Sequence, residues 1–96
     1  MKLNEIRQEL NNVKSYYQHK AEYDGYFAKG EMLHIKALVD KYDKAILTAP
    51  SNLYKAYIEL YHNGFTQERA SEELDITVRQ VKRLQLKIFD FFKNVP

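Results

Sequence analysis

Leu3, Ile6, Leu10, Val13 and Tyr17 recur at spacings of three and four. That seam lies on one face of a helix and predicts one over 2–20. Asp24-Gly25-Tyr26-Phe27 and then Lys29-Gly30 interrupt the pattern and predict a break. The pattern resumes with Met32, Ile35, Leu38 or Val39, Tyr42 and Ile46, which predicts a second helix over 31–47. Thr48-Ala49-Pro50-Ser51 closes it. Proline disfavours helical geometry at the residue before it, and Ser51 is a candidate cap for the next helix. This third helix is predicted over 52–62, with Leu53, Ala56, Tyr57, Leu60 and Tyr61 on one side. Asn63-Gly64 ends it, and Gly64 suits a left-handed position past a helix end. Thr66 caps a short helix over 67–74, with Glu68 in the first turn, where the helix dipole favours an acid. Asp75-Ile76 is a tight turn, and Thr77 caps a last helix over 78–93. Strand-like alternation is sustained nowhere. The expected fold is all-α: an N-terminal helical hairpin over 1–50, then a three-helix module over 51–96.

Composition narrows the classes. At 96 residues, 45% hydrophobic and 29% charged, the chain is globular rather than disordered. With no cysteine there is no disulfide framework, thiol nucleophile or cysteine-based zinc site. No apolar run approaches the ~18 residues of a membrane span. The opening MKLNEIRQEL is amphipathic and contains acids, unlike a signal peptide, so a cytoplasmic setting and no membrane partner are expected. Net charge is only +2, yet its distribution is uneven. Residues 66–75 hold Glu68, Glu72, Glu73 and Asp75 against Arg69 alone, whereas Arg79, Lys82, Arg83 and Lys87 stand in 77–87 with no acid. A solvated helix usually mixes its signs, so a one-sign helix beside an acidic one invites a functional reading.

Residues 66–87, TQERASEELDITVRQVKRLQLK, carry that reading. Two helices that cross closely through a short turn need small residues where they touch, and Ala70 and Ser71 stand there. Leu74 supplies a large apolar residue one turn later, Ile76 an inward plug in the turn, and Val81, Leu84 and Ile88 the buried stripe of the second helix. This is a helix-turn-helix pattern. It leaves Val78, Arg79, Gln80, Lys82 and Arg83 outward. A helix fits the major groove of duplex DNA with its N-terminal residues at the base edges. Arg79 or Arg83 matches guanine, and Gln80 matches adenine. Lys82 and Lys87 suit phosphates, as do Thr66 and Thr77 with the free N–H groups of their helix starts. The bland alternative is a set of solvated basic residues on a packing helix.

The stretch from about Leu53 to Phe91 resembles region 4 of bacterial sigma factors and related sigma-like helix-turn-helix proteins. The strings YIELYHNGFTQERASEEL and LDITVRQVKRLQLKIF carry the likeness, with Gly64, Thr66, Leu74, Ile76, Thr77, Val81 and Leu84 in matching positions. The resemblance implies that Val78, Arg79, Lys82 and Arg83 read the groove, and it suggests RNA polymerase as a further partner. Ala70, Ser71 and Asp75 depart from the family's commoner residues. Asp75 replaces a turn glycine, and aspartate tolerates the left-handed region better than most residues. The chain is too short to carry region 2 as well. Its layout is similar to small phage-encoded late-gene activators of the ArpU and RinA type.

The N-terminal half offers a dimerisation element or a hairpin packed on the module, and paired half-sites would suit a homodimer. Tyr16, Tyr17, Tyr23, Tyr26 and Phe27 read equally as interface or core. Of Phe91 and Phe92, one is expected to dock on the N-terminal helices. His19, His34 and His62 are scattered, Asp40 and Asp43 read as a solvated face beside Lys41 and Lys44, and no phosphate loop or nucleophile motif is present. A non-enzyme without cofactor is expected. The leading reading is a sequence-specific regulator that binds double-stranded DNA. A small terminase-like packaging protein and a helix-turn-helix-shaped protein-interaction module are the alternatives.

Overall fold

The computed structural model describes residues 3–95. Among them the chain is all-α, with no strand. The helices are α1 (Leu3–Gln18), α2 (Lys20–Ala28), α3 (Leu33–Ile46), α4 (Ser51–Tyr57), α5 (Gln67–Leu74) and α6 (Val78–Lys93); a π-helical turn, Ile58–His62, continues α4. Lys2, the expected start of the first helix, lies outside the described residues.

α1 forms along its apolar seam. Ile6, Leu10 and Val13 are fully buried, and Tyr16 joins them where the spacing pointed to Tyr17, which is half-buried. The helix packs against α3 on one flank and against the π turn and α6 on the other. Tyr42 of α3 donates to Glu9 on the first flank, and the Arg7 guanidinium lies 5.4 Å over the Phe89 ring of α6 on the second.

The expected break at 24–27 is instead part of a helix, α2. Glycine inside a helix costs about 1 kcal/mol, and ring packing against α1 offsets it. Phe27 stacks on Tyr16 at 5.7 Å, Tyr23 lies 5.8 Å from the same ring, and the Tyr16 hydroxyl donates to Asp24 at 3.0 Å. Three of the five clustered aromatics, Tyr16, Tyr23 and Phe27, thus pack at the α1–α2 corner, Tyr17 turns to His62 of the π turn, and Tyr26 is exposed. The chain breaks at His19 and again at 29–32, where Gly30 has φ 77° and Met32 φ 53°. Met32, expected in the second apolar stripe, therefore precedes α3 and is exposed. Ile35, Val39, Tyr42 and Ile46 are the buried face of α3.

Ser51 does not cap α4. It is the first helical residue, and the Pro50 carbonyl accepts from the N–H groups of Leu53 at 3.0 Å and Tyr54 at 3.1 Å. The α4 helix does not end as a plain α-helix. Asn63 N–H reaches the Ile58 carbonyl, five residues back, at 2.9 Å, and Phe65 N–H reaches Glu59 at 3.0 Å. One extra residue is thereby taken into the turn, while Tyr57, Leu60 and Tyr61 all stay buried. Gly64 comes next with φ 67°, and a Cβ there would collide with the Gln18 side chain of α1.

One hydrophobic core joins α1, α3, α4, the π turn, α5 and α6. Phe92 sits at its junction, with the Tyr42 ring 4.6 Å away edge-on and the Tyr57 ring at 5.9 Å. It thus ties the end of α6 to both halves of the chain.

Candidate nucleic-acid interface

α5 starts at Thr66, whose hydroxyl accepts from Arg69 N–H at 3.1 Å. Ala70 is fully buried where α5 meets α6, and Ser71 beside it turns its hydroxyl onto the Glu68 carbonyl at 2.6 Å. The helix ends because Asp75 adopts the left-handed region, φ 55° and ψ 47°. Asp75 N–H then bonds Glu72 at 3.3 Å and Ile76 N–H bonds Ser71 at 3.0 Å, which satisfies two carbonyls of the last turn. Ile76 packs partly buried against the core, as an inward plug should.

α6 opens with a closed capping box. Thr77 Oγ1 accepts from Gln80 N–H at 3.1 Å, and Gln80 Oε1 accepts from Thr77 N–H at 2.9 Å. Val81, Ile88, Phe89 and Phe92 are buried, with Leu84 half-buried beside them. The opposite face exposes Arg79, Lys82, Arg83 and Lys87. No carboxylate pairs with any of the four among the described residues. Within the acidic α5, by contrast, Arg69 is bound to Glu73 at 3.1 Å.

The structure gathers the candidates unevenly. Arg79, Lys82, Arg83 and Lys87 share one solvent face. Val78 is half-buried at its start. The capping box occupies the Thr77 N–H, so the N–H groups left open at that helix start are those of Val78 and Arg79. It also occupies the Gln80 carboxamide oxygen and leaves Nε2 free. Two-pronged recognition of adenine uses both ends of the amide, so the box must open for Gln80 to read a base that way. Arg83 and Lys87 rim a groove of about 300 Å³ floored by Ile76 and Leu84.

Two features escaped the sequence. Leu86 is 54% exposed in the middle of the basic face. Its position, four after Lys82 and off the Val81–Leu84–Ile88 stripe, was the available signal. The second is a cluster around Asp43, expected on a solvated face and found half-buried. Its carboxylate accepts from the hydroxyls of Tyr17 and of Tyr57, the latter at 2.7 Å, and lies 2.8 Å from His62 Nε2. The His62 ring also stacks on Tyr17, with centroids 3.9 Å apart. Burial raises the Asp43 carboxyl; the bonds from His62, Tyr17 and Tyr57 more than offset that and hold it below its ordinary value. Burial and the same bonds push the Tyr57 and Tyr17 hydroxyls well above the ordinary tyrosine range. Chemically this is a clamp between α1, α3 and the α4–π segment. No group of three metal-ligating side chains exists among the described residues. No helix among them is long and apolar enough to cross a membrane. Comparison with protein-family models, curated proteins and solved structures finds no match for the chain.

Proposed function

We propose that the chain is a sequence-specific regulator of transcription that binds double-stranded DNA by laying α6 in the major groove. The observation that carries this reading is the α6 face: Arg79, Lys82, Arg83 and Lys87 are exposed together, without carboxylate partners among the described residues, at a helix-turn-helix crossing. Unpaired cations on a slim rigid helix suit phosphates and guanine edges. The sigma-like pattern of the sequence supports RNA polymerase as a further partner, the layout supports a phage or prophage regulator, and paired half-sites would suit a homodimer.

Fluorescence anisotropy with random duplex DNA at two salt concentrations tests it. Wild type is expected to bind more weakly as salt rises, with a log–log slope of about −0.9 per phosphate contact. The Arg79/Lys82/Arg83→Ala variant, checked for folding by circular dichroism, is expected to lose that binding. Equal binding by the folded variant would remove α6 from the interface.

Leu86 favours one second reading. A large exposed apolar side chain suits the apolar core of a protein interface as well as a thymine methyl group. On that reading the module docks a protein partner, and folded wild type binds no duplex even at low salt.

A further inference from the structure

The α6 face is bordered by a cleft of about 340 Å³ between α1, the segment that leads into α5, and α6 itself. We propose that this cleft is a second contact with the same duplex, taking the phosphate backbone beside the groove that α6 reads. The proposal rests on the reading of α6 as the DNA-facing helix.

α1 supplies one wall. Arg7, Asn11 and Lys14 are spaced four and three apart, so they line one flank of the helix, just round from the buried Ile6, Leu10 and Val13. No carboxylate lines the cleft, and neither Arg7 nor Lys14 has an acidic partner among the described residues. The opposite wall is fixed from within: Gln67 Nε2 donates to Gln85 Oε1 at 2.9 Å, and Gln85 Nε2 donates to the Tyr61 hydroxyl at 3.0 Å. With those amides engaged on each other, Arg7 and Lys14 are the charged donors left to the space. Arg7 is steadied by the Phe89 ring beneath it.

Two arguments select the occupant. The first is span. Seven residues of helix separate Arg7 from Lys14, a rise of about 10 Å. One DNA strand presents a phosphate every ~3.4 Å along the duplex axis, so the pair covers about three successive nucleotides, too wide for one small anion. The second is continuity. Gln85 and Phe89 of the cleft stand three and seven residues after Lys82, on the same side of α6. A duplex seated on Lys82 therefore runs along the mouth of the cleft with its backbone toward α1.

The test compares the Arg7→Gln/Lys14→Gln variant with wild type by anisotropy across a salt series, on a site selected by wild type and on unrelated duplex. Thermal melts check folding, and Lys14→Glu gives a second, charge-reversed variant. The expected result is a salt slope shallower by about 1.8 for two lost phosphate contacts. Affinity at 0.1 M salt should fall about tenfold or more, equally on both duplexes, so that sequence preference is kept. Arg79→Ala and Arg83→Ala should instead erode the preference. If wild type binds through α6 and both α1 variants keep its slope and affinity, the cleft is not a backbone site and the α6 reading stands. Single-stranded DNA bound as tightly, with the same loss in the variants, would overturn the duplex as occupant. Absence of any duplex binding by folded wild type at low salt overturns the cleft and the α6 reading together.

Discussion

Asp43 gathers three donors from two other segments of the chain. Asp43→Asn keeps the shape but removes the charge, and hydrogen bonds to a charged group contribute about 1.5–3 kcal/mol each net of competition from water. A loss of roughly 2 kcal/mol is expected in urea unfolding at neutral pH. The folded carboxyl titrates below its ordinary 3.8. Its contribution is therefore complete above that value and drains away as pH falls through the folded one. Thermal melts in acid should show wild type converging on Asp43→Asn. The tyrosines give the opposite sign. Tyr16 is pushed up to about 12, chiefly by burial and then by its bond to Asp24, and Tyr17 and Tyr57 also titrate above their ordinary 10. Their contribution is complete below pH 10 and lost as pH rises beyond it. Absorbance at 295 nm should show tyrosinate from these three appearing only in step with unfolding. None of this was legible in the sequence, because Asp43 and His62 meet only when α3 and the π turn pack, and nothing local to either residue announces the other.

At the scale of elements, the caps and turn of α5 and α6 and the break at Lys29-Gly30 were legible, and the break at His19 was not. Thr66, Asp75 and Thr77 act through bonds to residues within four positions, so their chemistry is written in adjacent letters. Thr77→Ala should cost about 1 kcal/mol in chemical unfolding by opening the capping box. Asp75→Ala should destabilise by about 1 kcal/mol, because alanine lacks aspartate's tolerance of the left-handed region, whereas Asp75→Gly should not. α2 was hidden because Gly25 obeys tertiary ring packing rather than its own propensity. The π turn was hidden for a different reason: Leu53, Ala56, Tyr57, Leu60 and Tyr61 keep α-helical spacing, and the added residue shows only in which carbonyl each N–H reaches.

Across the whole molecule, α1 is shared. It packs on α3 and on the helix-turn-helix segment, and one core runs through both. Several neighbours within the same chain cover its length. Phe92 is the side chain that most directly joins the halves, and Phe92→Ala should cost about 3–5 kcal/mol as a fully buried aromatic. A proton spectrum of that variant should show shifts at Tyr42 and Tyr57 together, the rings it contacts. The π turn has a consequence on the same scale, for the lengths of sequence this fold accepts. Each residue of an α-helix advances the chain by about 100°. Removing one residue from 58–62 would restore ordinary helical winding, yet it would swing Gly64 away from Gln18 and re-aim everything after it. Substitutions there alter packing by degrees, but an insertion or deletion is all-or-none. The segment thus works as a phase register between the two halves of the chain, and related sequences that keep the same aim for α6 must keep its residue count before its residue identities.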